Sequence, residues 1–225
     1  MTTAVPRIRV WDLPTRLFHW SLALLVVFSF VTGRLGGNWM AWHLKSGYAI
    51  LALVLFRIAW GFAGSDSARF ASFLRGPRVA LDYARELRAG RHPFTPGHNP
   101  LGGWMVAAML LAVALQAATG LFSDDEIATQ GPLAVKVSDA TVSRMSAIHS
   151  GWEWAIVALV AVHVAAIATY RWRWNRRLVG PMLHGWMEGS AGIAGPRLRP
   201  AWLALALLAV AAAAVYVLVA IVPVR

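Results

Sequence analysis

Four histidines lie in or at the edge of long apolar stretches, where an imidazole is costly unless something uses it. They are His19, His43, His149 and His163. His149 and His163 are 14 residues apart in sequence. In a helix this spacing brings both side chains to within about 40° of one face and separates them by about 21 Å along the axis. One helix would therefore carry two imidazoles at two depths.

The elements that must position these histidines are membrane-spanning helices. The chain is 58% hydrophobic and 14% charged, with a mean hydropathy of +0.56, whereas soluble domains carry about 25% charged residues. A spanning helix needs about 20 apolar residues. Five stretches approach or exceed this length, at about 17–33, 42–62, 101–122, 147–170 and 200–224. The sequence predicts an all-α integral membrane protein with five spans. A helix start at "WDLPTR", with Asp12 as the N-cap, lies just before the first span.

The basic residues orient these spans. With the N-terminus in the cytoplasm, 15 of the 21 Lys and Arg residues fall in cytoplasmic segments, as the positive-inside rule requires. This topology accounts for the net charge of +11 without nucleic acid as a partner. Lys45 and Arg57 are expected to extend from the second span to the membrane interface. The segment around 79–90 is expected to form a short basic helix on the membrane surface.

The same topology pairs the histidines by depth. His19 precedes the outer end of the first span by 14 residues, so it lies about as deep as His163. His43 lies at the outer rim, level with His149. We call His19 and His163 the inner pair, and His43 and His149 the outer pair.

Two facing imidazoles in an apolar bundle are the axial ligand set of haem b. The chain contains no cysteine, which excludes iron–sulfur clusters and covalent haem attachment. Zinc is a poorer match, because a structural zinc ion requires four ligands at one place. A lone buried histidine is often only a hydrogen-bonding residue, but four histidines at two matched depths are harder to explain in that way. A proton- or metal-coupled transporter would need acidic residues deep in the spans, where only Glu153 comes close, and a haem-free anchor is the last alternative.

Other polar residues suggest contacts for cofactor and partner. Arg16 and Lys45 are placed to face haem propionates, and His98 is a candidate quinone or propionate contact. An outer loop carries Asp124, Asp125 and Glu126. Its negative charge could steer a basic redox partner such as a cytochrome c. Equally, an acidic outer loop is simply what the topology permits.

The motifs "VWDLPTRLFHWSL", "WHLKSGYAILALVLFRIAWGF", "GHNPLGG" and "IHSGWEWAIVALVAVHVAA" together resemble the bacterial cytochrome b561 and nickel–iron hydrogenase cytochrome b-subunit family. The resemblance covers residues 7–188 and implies a four-helix core with two haem b groups. Matched by position, the family's ligands fall on the four histidines of the two pairs. It also implies exchange of electrons with membrane quinone. The fifth helix at 200–224 departs from the family's four-span core.

Taken together, the residues and the resemblance predict a cytochrome b of the bacterial inner membrane. It would carry electrons between quinone and a periplasmic redox partner in a respiratory chain, the partner being a hydrogenase, another dehydrogenase or a c-type cytochrome. The alternative is an enzyme that oxidises superoxide or reduces a small oxidant at the outer haem, where Lys45 and Arg34 would attract an anion. The partner, the direction of electron flow and a homodimer stay open.

Overall fold

A computed structural model describes residues 7–91, 95, 97–189 and 194–221. The helices are α1 (Leu13–Leu35), α2 (Met40–Ala63), α3 (Phe70–Phe73), α4 (Pro77–Arg88), α5 (Pro100–Gly120), α6 (Asp139–Trp174), α7 (Val179–His184) and α8 (Ala201–Tyr216). A π-helical turn, Val217–Ile221, extends α8. Within the described ranges, five helices are long and apolar enough to cross a membrane, namely α1, α2, α5, α6 and α8 with its extension. This confirms the all-α membrane fold and its five spans.

Capping side chains fix where two of these helices begin. Asp12 Oδ1 accepts a hydrogen bond from the backbone N–H of Thr15 at 2.7 Å, and Pro14 lies in the first turn of α1, as the sequence predicts. Asn99 caps α5 in the same way and accepts from the N–H of Gly102 at 2.8 Å. The Asp12 cap fixes the start of α1 and therefore the depth of His19.

The central helix of the bundle is α2. It packs against α1, α5 and α8, while α6 packs mainly against α5. In the most apolar stretch of α2 half of the residues are buried, against 6–17% in the corresponding stretches of the other spans. A side chain on α2 is therefore more often enclosed by protein than one on any other spanning helix.

Two features go beyond the sequence prediction. Helix α6 has 36 residues and begins at Asp139, eight residues before the apolar stretch, because hydropathy marks only the part of a helix that suits lipid. Two short strands, β1 (Arg7–Arg9) and β2 (Trp186–Glu188), pair antiparallel with Ile8 opposite Met187. This ribbon ties the segment before α1 to the segment after α7.

The predicted surface helix corresponds to α4. Its Ala80 and Tyr83 are buried against the bundle, whereas Val79 and Leu81 are exposed. An exposed apolar edge beside a basic face suits contact with the membrane surface. Residues 222–224 of the predicted fifth span lie outside the described residues.

Candidate functional site: two imidazole pairs

The four histidines lie as two facing pairs between the helices. The ring centroids of His19 and His163 are 6.3 Å apart, and those of His43 and His149 are 6.0 Å apart. An imidazole nitrogen lies about 2 Å from a bound transition-metal ion, and the ring centroid lies about 1 Å further out. Two imidazoles on opposite sides of one ion therefore have centroids about 6 Å apart. Both gaps fit one bis-imidazole metal centre.

An apolar layer separates the two pairs. It consists of buried residues from α2, α5 and α6, namely Ile50, Val54, Ala112, Val113 and Ile156. The sequence separation of 14 residues between His149 and His163 on α6 corresponds to about 21 Å of helix. The two pairs thus lie at two depths with low-dielectric packing between them.

His43 of the outer pair is held by α1. Its Nδ1 is 2.9 Å from the backbone carbonyl of Ser29 and 3.3 Å from the Ser29 hydroxyl. Gly33, one turn further along α1, lies directly behind the ring, since a Cβ there would come within 2.8 Å of His43 Nδ1. The segment "SFVTG", residues 29–33, forms a notch that receives this imidazole.

His149 is held by an equivalent notch in α5. Its Nδ1 is 2.9 Å from the carbonyl of Gln116, and a Cβ at Gly120 would lie 2.8 Å from its Cε1. The segment is "QAATG", residues 116–120. In both notches the threonine before the glycine bonds carbonyls three and four residues back. Neither notch was predicted from the sequence, where the signal for each is a Thr-Gly pair near a span end.

The notches determine which nitrogen of each outer imidazole is available. A neutral imidazole has one N–H and one lone pair. Because Nδ1 donates to a backbone carbonyl, Nε2 carries the lone pair that a metal ion needs. Such an outer hydrogen bond orients the ring of a metal ligand and increases its basicity.

The inner pair lacks this support at His19. His19 Nδ1 is buried and has no hydrogen-bond partner in the part of the chain that the structure describes. The His19 ring packs edge-on against Trp20 at 4.9 Å. Beside the outer pair the space is open, since a Cβ at Gly47, one turn after His43, would meet nothing within 4 Å. Space for a planar group and an unpaired ring nitrogen both suit a haem at these sites.

Zinc lacks the ligands it would need. Within the part of the chain that the structure describes, no group of three or more His, Cys, Asp or Glu residues could hold a metal ion. Each histidine pair would leave a tetrahedral ion half-coordinated.

Arg57 corrects the sequence analysis. It was expected to extend to the interface, but it is 2% exposed. Its Cζ lies 5.2 Å from the ring centroid of Phe70, 5.7 Å from Phe73 and 6.0 Å from Phe18. The expectation failed because α3 folds back over this end of α2, which hydropathy along α2 does not reveal.

Arg16 and Lys45 have other contacts in the described chain. Arg16 donates from Nη1 to the carbonyl of Leu183, while its Nε is buried without a partner. Lys45 is exposed, with Nζ 4.8 Å from the Trp42 ring centroid. Their predicted contacts with haem propionates stay predictions.

His98 lies in an aromatic pocket near the start of α5. Its ring is 4.6 Å from Trp11 and 4.7 Å from Phe73, and its Nδ1 is buried without a partner among the described residues. Desolvation, followed by the positive charge of Arg57, lowers the pKa of His98 to about 3. The imidazole is therefore neutral at physiological pH.

The rest of the "GHNPLGG" motif shapes the backbone. Gly97 has φ +99°, and Asn99 both caps α5 and donates from Nδ2 to the Tyr170 hydroxyl at 2.9 Å. Gly103 allows the carbonyl of Phe73 to approach, since a Cβ there would lie 2.4 Å from that oxygen. The motif thus fixes α5 against α3 and α6.

Glu153, the acidic residue considered for a transporter, is paired. It accepts a hydrogen bond from Arg34 Nη2, and the same guanidinium lies 5.0 Å from the Trp154 ring. The pair joins α1 to α6 near the outer pair. Each charge is thereby compensated at the rim of the bundle.

The acidic loop between α5 and α6 is ordered by its own carboxylates. Asp125 Oδ1 accepts backbone N–H bonds from Ile127, Ala128 and Thr129 at 2.8–3.0 Å. Burial alone would raise the pKa of Asp125, but these bonds outweigh it and lower the pKa to about 2. The carboxylate is therefore ionised under all physiological conditions.

Five membrane-spanning helices around two facing imidazole pairs define a protein of the membrane cytochrome b class. The chain belongs to the prokaryotic cytochrome b561 family, which matches residues 10–185. A curated relative from Azotobacter chroococcum mcd 1 is 26% identical over 209 residues, covering 79% of this chain and 87% of the relative. That relative is described as a probable Ni/Fe-hydrogenase B-type cytochrome subunit. No solved structure matches the chain.

These matches confirm the predicted family and the coarse function. The chain is a multi-pass bacterial membrane protein of electron transport, and its class uses haem b. Helix α8 lies beyond the matched segment.

Proposed function

We propose that this cytochrome b binds two haems and carries electrons between membrane quinone and a periplasmic redox partner in the bacterial inner membrane. His19 and His163 would hold the inner haem, and His43 and His149 the outer haem. The observation that carries the proposal is the pair of 6.0 and 6.3 Å imidazole gaps on either side of one apolar layer. Each bound haem would supply a reversible one-electron carrier.

The chain's own residues supply ligation, orientation and insulation. The notches at 29–33 and 116–120 hold the outer imidazoles with Nδ1 as the donor. The buried layer around Val54 and Ile156 excludes water between the two sites. Arg16, Lys45 and His98 remain the proposed contacts for propionates or quinone.

The partner proposed first is a periplasmic hydrogenase, because the curated relative is described as a hydrogenase cytochrome subunit. Another dehydrogenase or a c-type cytochrome would use the same outer surface. We propose that Asp124, Asp125 and Glu126 steer a basic partner to it. Neutralising all three should slow reduction of a basic c-type cytochrome at low salt, whereas Glu86→Gln on α4, at the opposite end of the bundle, should not. Equal rates in both variants would contradict docking on this loop.

Oxidation of superoxide at the outer haem is the weaker candidate. It requires cations at the outer rim to attract an anion, and Arg34 already pairs with Glu153. Of Lys45 and Arg34, the two cations expected to attract the anion, only Lys45 lacks an acidic partner in the described part of the chain.

The decisive experiment is a haem count with reduced-minus-oxidised visible spectra of detergent-purified protein. We expect two low-spin haem b groups per chain. His19→Ala and His149→Ala should each remove a different one. His184→Ala is the matched control, because His184 lies outside both pairs and its Nδ1 accepts from the N–H of Trp186. A folded protein without haem, or variants that lose the same haem, would contradict the assignment.

A further inference from the structure

Arg57 is a fully buried cation that forms no salt bridge with any described residue, although the buried carboxylate of Asp12 lies within its electrostatic surroundings. Its Nη1 is buried without a hydrogen-bond partner from any residue that the structure describes. Across the described residues, no carboxylate oxygen lies within 4.0 Å of the guanidinium. Asp12, also buried, uses Oδ1 for the N–H of Thr15 and Oδ2 for Trp60 Nε1. A buried charge is strongly unfavourable unless it is paired.

Aromatic side chains pack tightly around Arg57. Gly61 lies one turn after it, and a Cβ at Gly61 would come within 2.1 Å of the Phe70 ring. Glycine at this position therefore lets Phe70 lie flat over α2 beside the guanidinium. Aromatic faces stabilise a cation, but they supply neither a negative charge nor a lone pair for Nη1.

His98 Nδ1 is a second buried nitrogen without a partner among the described residues, and it lies near Arg57. Phe73 contacts both residues, at 5.7 Å from Arg57 Cζ and 4.7 Å from the His98 ring. Phe18, which directly precedes His19 on α1, has its ring centroid 6.0 Å from Arg57 Cζ. The cluster of Arg57 and His98 therefore adjoins the inner haem site, and both have a buried nitrogen without a partner.

We propose that Arg57 and His98 bind a propionate carboxylate of the inner haem, and that Arg57 raises the reduction potential of that haem above that of the outer haem. This inference rests on the proposed function. A carboxylate supplies the full negative charge that a buried guanidinium needs and matches its fork of donors. A quinone oxygen is neutral and would add no negative charge beside Arg57.

The outer site differs in the charge near the haem and in the hydrogen bonds of its histidines, and both properties affect the reduction potential of a haem. Its cations lie at the rim, where Lys45 is exposed and Arg34 is paired with Glu153. Its imidazoles donate from Nδ1 to backbone carbonyls, which increases their basicity and favours oxidised iron. A buried positive charge beside the inner haem favours the added electron instead. Both effects make the inner haem the easier one to reduce.

The test is a potentiometric titration of full-length holoprotein, with each haem assigned from His19→Ala and His149→Ala. Arg57→Gln is then made in the His149→Ala background, which keeps only the inner haem. We expect Arg57→Gln to lower the inner midpoint potential or to reduce inner haem occupancy. Arg57→Lys, which keeps the charge, should restore most of the potential, and His98→Phe should weaken haem retention. Arg69→Gln is the matched control, since Arg69 is partly exposed and already paired with Asp66.

Each outcome decides the proposal. An inner potential at or below the outer one, or unchanged by Arg57→Gln, would overturn it. A changed apparent affinity for quinol with unchanged haem content and potentials would overturn it in favour of a quinone site. If Arg57→Gln does not fold, Arg57→Lys and His98→Phe give the same decision through haem retention. A wild-type protein without haem would instead contradict the proposed function.

Discussion

The notch glycines provide the sharpest test of how the outer histidines are held. In Gly33→Ala the new Cβ would lie 2.8 Å from His43 Nδ1, whereas unstrained contacts between such atoms lie at about 3.5 Å. The imidazole must therefore retreat by about 0.7 Å. If it moves away from α1, its 2.9 Å bond to the Ser29 carbonyl lengthens to about 3.6 Å, at which distance a hydrogen bond no longer exists.

The loss can be expressed as haem affinity. Losing one neutral hydrogen bond costs about 0.5–1.5 kcal/mol, and losing the orienting partner of a metal ligand lowers affinity by about 10–100-fold. Gly120→Ala should act in the same way through His149, because its Cβ would lie 2.8 Å from Cε1. Alanine favours a helix over glycine by up to about 1 kcal/mol, so neither variant should lose its fold for want of helix propensity.

The assay is haem content and visible spectra of the two variants beside Gly102→Ala. That control makes the same substitution in α5, where the new Cβ would meet Asn99 Oδ1 at 3.4 Å and nothing nearer. We expect both notch variants to lose outer haem and keep inner haem, with the control unchanged. Full outer occupancy at unchanged affinity in both notch variants would refute the idea that these glycines position the imidazoles.

Three further predictions test other parts of the site. Gly47→Leu would fill the open space beside His43, so it should remove outer haem without lowering helix content measured by circular dichroism. Glu153→Gln should lower the melting temperature only slightly and leave both haems bound, because its partner Arg34 is half exposed and such pairs contribute at most about 1 kcal/mol. Loss of haem in that variant would contradict the rim placement. The pKa of Asp125 is about 2 in the fold and about 3.9 unfolded. The contribution of ionised Asp125 to the stability of its loop should therefore be complete above about pH 4 and lost as the pH falls towards 2. Amide exchange at 127–129 should report this change, which Asp125→Asn should abolish.

The spans and the histidine pairing could be predicted because both depend on regular quantities. Hydropathy marks the apolar lengths, and a fixed rise per residue converts sequence distance into depth. The bilayer gives every helix the same reference plane. His19 and His163 therefore face each other in the structure, although 144 residues separate them in sequence.

Arg57 and the notches depended on information that the sequence pattern lacks. The position of α2 at the centre of the bundle follows from which helices pack on it, and no property of α2 alone indicates this. The acceptors for His43 and His149 are backbone carbonyls, which every residue has. Only the small size of Gly33 and Gly120 leaves a trace in the sequence.

The two sites differ in how far the protein alone completes them. At the outer site both imidazoles already have an Nδ1 acceptor, so a haem there meets ligands that are oriented in advance. At the inner site His98 Nδ1 and Arg57 Nη1 are buried without partners among the described residues. Each such group carries a desolvation penalty of about 1–3 kcal/mol, and more when it is charged. A cofactor that satisfies these groups removes the penalty, so haem should stabilise the inner half of the bundle more than the outer half. The inner site is thus the place where folding and cofactor binding are most tightly coupled.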